Sequence, residues 1–394
     1  MSSPNSAEPS IFGGSSFLEL RTTTHGGRSL FATSDIAPGT RIHSCKEPFA
    51  YVIYKDYRKE VCAHCVAYSA SDHAPSTVGS SRTWSIKWSR ASAAIAWFCS
   101  DGCKNSWENE EGSISLMEMD ALLTKGQAAT RKRFKSPEEE INVKSMLPAF
   151  ESGDRSITSK VIDAAWESAE ALVASKARLA HFYSTLHIED IELEIARSLA
   201  AAIVRRYCDE RRSSFDLTLP TRSESWTQLL HLQTNELCNI QTRPYMLTAY
   251  LRIYVFLSNA LPRHLRKYTS TVREVLARDT GNAFGIWDGE QRDEMMGWGL
   301  WVSASYFNHS TSAAVGLFGS GVTTMLIGCV PNVRKKRVGR ALHFEATQRI
   351  EAGEELCISY IDTDSPADQR RRELEENWFF TCRCVRCTNE RKEY

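Results

Sequence analysis

Two short stretches decide how the chain folds: residues 303–310, SASYFNHS, and residues 353–362, GEELCISYID. Taken singly, each is a weak signal. A histidine after asparagine is more often a satisfied core residue than a catalyst, and a tyrosine closing a β-rich run is usually packing. Their surroundings carry the reading. GVTTMLIGCV at 321–330 and RALHFEAT at 340–347 are rich in β-branched and aromatic residues, the composition of short strands. The same texture opens the chain, in GRSLFATSDIAPGTRI at 27–42, broken by the turn Pro38-Gly39, and in EPFAYVIY at 47–54. Between these ends apolar residues recur at helical spacing. One face holds Ile162, Ala165, Trp166, Ala169, Leu172 and Val173; a second holds Ile188, Ile191, Ile195, Leu199, Ala202 and Ile203. Tyr245 to Leu261 is apolar nearly all round, which suits a buried helix. Strands, a long helical block and strands again make an α+β fold whose sheet is split in sequence.

Composition narrows the function. The 394 residues carry 48 Lys+Arg and 48 Asp+Glu, a formal charge of zero. A nucleic-acid coat or polybasic membrane binder needs a surplus of positive charge. The basic runs Arg131-Lys132-Arg133 and Arg334-Lys335-Lys336-Arg337 are short, and the second reads as a solvated hairpin tip. Nucleic-acid binding is therefore not expected. The opening MSSPNSAEPS lacks the pattern of a signal peptide. The longest apolar stretch, Met246 to Leu261, carries Arg252 and falls short of a membrane span. The expectation is a soluble intracellular protein, nuclear or cytoplasmic, with no membrane partner.

Of twelve cysteines, seven fall in two tight groups: Cys62, Cys65, Cys99 and Cys103, then Cys382, Cys384 and Cys387. Close pairs in such a chain point to zinc rather than to disulfides. Cys62-x2-Cys65 and Cys99-x3-Cys103 are two chelating pairs, enough for one tetrahedral ion. The last three supply thiolates that need a fourth ligand from elsewhere; without one they are a metal-free thiol tail. His64 and His73 read as surface residues. Walker loops, G-x-G-x-x-G, H-E-x-x-H and nucleophile elbows are all missing from the sequence.

The order of the motifs goes further. GRSLFATSDIAPGTRI, a cysteine finger, a helical insert, GNAFGIW at 281–287, SASYFNHS, GEELCISYID and a closing CxCxxC resemble a SET-domain protein lysine methyltransferase. The interrupting finger places it with the SET- and MYND-domain branch, and the wording is similar to fungal members. No single motif is specific; the ordered set is. The resemblance covers about 16–103 and 236–394, and 113–235 carries no family motif. It divides the chain into a disordered tail at 1–15, the first part of the SET domain at 16–58 and a reduced MYND-like finger at 59–112. A helical insert at 113–235, a helical SET insert at 236–278, the second part of the SET domain at 279–364 and a post-SET segment at 365–394 follow.

That resemblance implies small curved sheets around a pseudoknot, with S-adenosylmethionine on one side and the lysine of a protein or peptide substrate entering from the other. Gly27 and Arg28 match the cofactor loop, Asn282 the residue at the cofactor's amino-acid end, and Asn308 with His309 the pair beneath it. Tyr360 matches the catalytic tyrosine, which also meets the cofactor, Phe380 an aromatic on the adenine, and Trp378 another cleft aromatic. The chain is expected to act as a monomer.

Three departures qualify the match. The family's Gly-x-Gly loop reads Gly27-Arg28-Ser29, placing a side chain where backbone approaches the ligand. No CxxC lies between Cys65 and Cys99, and no histidine follows Cys103 until His181, so one zinc ion rather than two is expected in the finger. NHSCxPN reads Asn308-His309-Ser310-Thr311-Ser312-Ala313-Ala314. Thr311 replaces the cysteine that completes the post-SET site, so Cys382, Cys384 and Cys387 hold a second zinc with a substitute ligand or hold none. The chain also ends seven residues after Cys387, where several animal relatives carry a helical-repeat domain. These departures keep a second reading open: a SET and zinc-finger scaffold that binds partners without catalysis.

Overall fold

The computed structural model describes residues 16–23, 27–69, 83–90, 94–133, 157–215, 224–288, 294–309, 331–382 and 387. Small sheets and helices alternate in it as an α+β fold. The chain divides into two compact units, residues 1–48 with 301–394 and residues 49–300.

The first unit is built from short strands. Leu18–Thr23 and Gly27–Ala32 form an antiparallel hairpin in which Leu20 faces Leu30 and Thr23 faces Gly27. Gly27 sits at φ 69°, a left-handed conformation that a side chain would strain. A three-stranded sheet runs in the order Val333–Val338, Ala341–Ala346, Arg41–Cys45. The basic run 334–337 thus lies within a strand rather than at a hairpin tip; Gly339-Arg340 makes the turn, and the run's side chains alternate between exposed and half-buried. Alternation permits this because the strand has one face to solvent. Phe307 stacks on Phe344 with centroids 4.2 Å apart, and Leu30, Ile36, Ile42, Ile350 and Leu356 complete the core. The strand expected at 321–330 lies outside the described residues.

In the second unit Ala50–Ile53, Met295–Leu300 and Phe284–Trp287 form a sheet in that order. Gly297 is required there, since a Cβ would lie 2.0 Å from the Val52 carbonyl oxygen. The helix Ser159–Ala174 buries Ile162, Ala165, Trp166 and Ala169, as its periodicity predicts. The helix Tyr245–Ala260 is buried over most of its surface, and no described helix is long and apolar enough to cross a membrane.

The helix Asp190–Phe215 departs from expectation. Ile191 is exposed, while Glu192, Glu194 and Arg197 are buried. Electrostatic pairing explains the inversion. Arg197 donates to Asp120, to Glu194 and to Thr124 Oγ1, the last two at 2.8 and 3.0 Å. Arg58 donates to Asp120 at 2.8 Å and lies 3.5 Å from Glu194. Arg252, the charge inside the apolar helix, pairs with Glu192; desolvation raises the Glu192 carboxyl, with Arg252 opposing it. Periodicity counts apolar residues, but a charge enters the interior when an opposite charge meets it there.

Arg197 is 5% exposed, so Arg197→Met would strand the Asp120 and Glu194 carboxylates with Arg58 alone. The expected loss is about 3 kcal/mol, read from urea unfolding. A loss below about 1 kcal/mol would show that the network is solvated and adds little.

Candidate active site and metal centre

Tyr360 follows a very short strand. Asn308–His309 pairs in parallel with Cys357–Ile358, Asn308 opposite Cys357 and His309 opposite Ile358. Two residues of parallel ladder are weak by themselves. Asn332, 6% exposed, braces the second strand: its Nδ2 donates to Glu355 O and its Oδ1 accepts from Cys357 N–H, both at 2.8 Å. This side-chain amide serves as a further strand partner.

The pairing brings Tyr360 against the NHS segment. Its backbone N–H donates to His309 Nδ1 at 3.3 Å, and its hydroxyl donates to the Phe307 carbonyl at 2.8 Å. Since Nδ1 accepts, the proton of the neutral imidazole sits on Nε2. Burial, then the nearby Arg370 charge, pulls His309 down to about 4. Burial, with smaller contributions from Cys357 and Glu355, pushes the Tyr360 phenol above its ordinary range. Both rings are therefore neutral across the physiological range.

Around Tyr360 the chain assembles aromatic rings. His309 and Trp378 lie 5.5 Å away and Phe380 6.4 Å away, edge-on. Phe380 is placed by the end of the helix Ala367–Trp378, where Phe379 adopts φ 61° and turns the chain. Asn308 Nδ2 donates to Glu355 Oε1 at 3.3 Å. The strand Gly27–Ala32 runs alongside, with Leu356 N–H donating to Leu30 O and Phe31 bridged to Glu355. The Arg28 guanidinium lies over Tyr306, 5.2 Å from its centroid. Ser29 Oγ is buried without a hydrogen-bond partner, an orphan polar atom beside Arg28.

The first unit thus gathers Gly27, Arg28, Asn308, His309, Tyr360, Trp378 and Phe380. Asn282 belongs to the second unit, where its side-chain amide donates to Arg278 O at 2.7 Å and to Gln233 O at 3.3 Å. Residues 310–314, which hold the altered NHS continuation, lie outside the described residues. Sequence reasoning missed Asn332, whose partners are more than twenty residues away, and Phe379, where an asparagine or glycine would have signalled the left-handed turn. It also missed Arg370, buried and 3.6 Å from Cys387 Sγ.

The finger converges as its spacing predicts. The sulfurs of Cys62, Cys65, Cys99 and Cys103 all lie within 4.8 Å of one another, with Cys65–Cys99 at 3.6 Å and Cys99–Cys103 at 3.4 Å. A tetrahedron with Zn–S bonds of about 2.3 Å has edges of about 3.8 Å, so this donor set fits zinc. Each pair is presented by a different local device. The first sits in a tight turn where Val66 N–H donates to Cys62 O and Val66 itself takes φ 60°. The second spans the start of the helix Asp101–Asn109, capped by Ser100 Oγ accepting from Cys103 N–H. The Cys65 thiol donates to Cys62, which brings Cys62 down to about 4 and raises Cys65; burial, then Cys103, raises Cys99 to about 11. Of the post-SET cysteines, Cys382 and Cys387 are buried, and Cys384 lies outside the described residues.

Residues 27–361 match the SET domain family. The chain is 29% identical to the potential protein lysine methyltransferase SET6 of Saccharomyces cerevisiae, over 95% of this chain and 96% of that protein. It is 23% identical to a SET and MYND domain-containing protein of Dictyostelium discoideum, over 95% of this chain and 82% of the other. It is 32% identical to the mouse histone-lysine N-methyltransferase SMYD3, over 30% of this chain and 23% of that one.

Two outcomes follow from the geometry. Unfolded histidine titrates near 6.5 and His309 near 4, so the unfolded state binds the extra proton between these values. Stability is complete above about 6.5 and falls by up to about 3 kcal/mol as pH drops to about 4. In His309→Gln the pH slope of unfolding free energy over this window should shrink by about one proton; an unchanged slope would mean that the imidazole is already solvated. Chelating the finger metal, or Cys99→Ser, should lower the melting temperature by several degrees and make 60–109 protease-sensitive. Cleavage identical to that of the untreated protein would rule out a structural ion.

Proposed function

Since the chain belongs to the SET domain family, we propose that it is an S-adenosylmethionine-dependent protein lysine methyltransferase, with Tyr360 at the reacting methyl. The observation that carries this reading is the parallel pairing of Asn308–His309 with Cys357–Ile358, which ties Tyr360 to the NHS segment at both its N–H and its hydroxyl. A relative matched along nearly its whole length and bearing a methyltransferase name supports the enzyme over the partner-binding scaffold.

When bound, S-adenosylmethionine supplies an electrophilic methyl on a sulfonium. Gly27, Arg28, Asn308, His309, Tyr360 and Phe380, all of the first unit, would hold it. Arg28 offers a cation suited to a carboxylate. Ser29 stands where the family has its second glycine, and its buried hydroxyl has no hydrogen-bond partner. The aromatic group of Tyr360, Trp378 and Phe380 suits a sulfonium and excludes water from it.

The lysine must arrive as a neutral amine. From an ordinary pKa near 10.4, that costs about 4.6 kcal/mol at pH 7. Tyr360 is not the base, because its phenol is protonated and its pKa is raised. Its hydroxyl, oriented by the Phe307 carbonyl, instead fixes the amine for in-line attack, so positioning carries most of the rate. The finger holds one zinc ion on Cys62, Cys65, Cys99 and Cys103 as a structural centre of the second unit. The paired free cysteines support action in a reducing compartment, nucleus or cytoplasm, and a protein substrate is the expected partner.

Tyr360→Phe should abolish incorporation of labelled methyl groups into protein lysines while S-adenosylmethionine affinity, read by calorimetry, changes less than about threefold. Surviving turnover would remove Tyr360 from the reacting centre.

A further inference from the structure

The hydroxyl of Tyr360 is aimed by the Phe307 carbonyl oxygen, 2.8 Å away. That carbonyl follows the 3-10 turn Ser303–Tyr306. A 3-10 turn is a poor anchor, because its hydrogen bonds are badly aligned. The turn is held from outside, by the strand Arg41–Cys45. There His43 lies opposite Phe344, so the two side chains stand together on one face of the sheet. Phe307 covers both. Its ring stacks on Phe344, and its centroid is 6.2 Å from the His43 imidazole.

His43 also reaches the other end of the turn. Its Nε2 lies 2.9 Å from Ser303 Oγ, and Cys45 Sγ lies 3.0 Å from the same oxygen. A hydroxyl has one donor and two acceptor sites, so Ser303 serves both neighbours at once. Cysteine, serine and histidine within bonding reach are also the residue types of a nucleophilic triad. Burial excludes that role: Cys45 is 1% exposed and Ser303 3%, so substrate reaches neither. Desolvation pulls His43 down to about 4, and the three groups form a chain of neutral hydrogen bonds. Each such bond is modest alone. Together with the ring stack they grip the turn at Ser303 and at Phe307.

We propose that His43 is a positioning residue for methyl transfer: bonded to Ser303 and packed beside Phe307, it sets where the Phe307 carbonyl points and so where the Tyr360 hydroxyl stands. This rests on the methyltransferase reading of the site, and every group involved belongs to the first unit. Asn308 and His309 are fixed by their own strand pairing, and Phe380 by the end of the helix Ala367–Trp378. Loss of His43 therefore costs turnover rather than cofactor affinity.

The test uses the full-length, zinc-loaded chain, S-adenosylmethionine with a labelled methyl, and a hypomethylated whole-cell protein extract at fixed concentration as the methyl acceptor. His43→Leu keeps an apolar contact on Phe307 and loses the bond to Ser303. Turnover should fall by about ten- to a hundredfold. The KM for S-adenosylmethionine and its calorimetric Kd should stay within about twofold. His43→Gln, whose side-chain amide reaches the place of Nε2, should bring turnover back to within about threefold of wild type. If His43→Leu does not fold, Ser303→Ala removes the same bond from its other end and carries the same expectation. Unchanged turnover in a folded variant overturns the proposal. So does a loss that glutamine does not restore, or one matched by an equal loss of cofactor affinity, since either marks a residue that only stabilises the fold. A wild type that transfers no methyl overturns the methyltransferase reading, and this assignment with it.

Discussion

Two dipeptides, Asn308–His309 and Cys357–Ile358, make the pairing on which the first unit depends. They are about fifty residues apart, and so short a ladder cannot repay the entropy of closing that loop. Side chains make up the difference. Asn332 clamps the second dipeptide at Glu355 and Cys357, while Tyr360 bonds back to His309 and Phe307. A register slip of one residue would turn His309 to the other face and break the Tyr360 contact. The arrangement therefore tolerates one alignment only, which is what a site that works by positioning requires.

The second unit solves a different problem. Its long helix Asp190–Phe215 is buried on more than one side, and three of its buried residues are charged. Arg197 is held by Asp120 and Glu194, Arg58 shares both carboxylates, and Arg252 answers Glu192. Such networks add little net stability over an apolar core of equal volume, yet breaking one member is costly. They act as a registration device: the helices meet where the charges match.

The finger is organised by its sulfurs. Its apolar core is small, chiefly Phe98, Ala96 and Trp107 around Cys62, and a segment of that size gains much of its stability from a bound ion. The thiol pKa values, Cys62 down and Cys65 and Cys99 up, express four sulfurs crowded together and sharing protons, a crowding that a divalent cation relieves.

The sequence by itself determined the α+β order of strands, helices and strands, the four finger cysteines and the Tyr360–His309 pair as candidates, because these rest on spacing and motif order, which are local properties of the text. The apolar face of Ser159–Ala174 was legible for the same reason. Tertiary structure alone decided which charges are buried, since Glu194 and Arg197 look like a solvated face until Arg58 and Asp120 meet them. It also decided the role of Asn332 and the turn at Phe379. Each of these depends on groups brought together from distant positions, and a side chain's partner across the fold leaves no mark on the residues beside it in sequence.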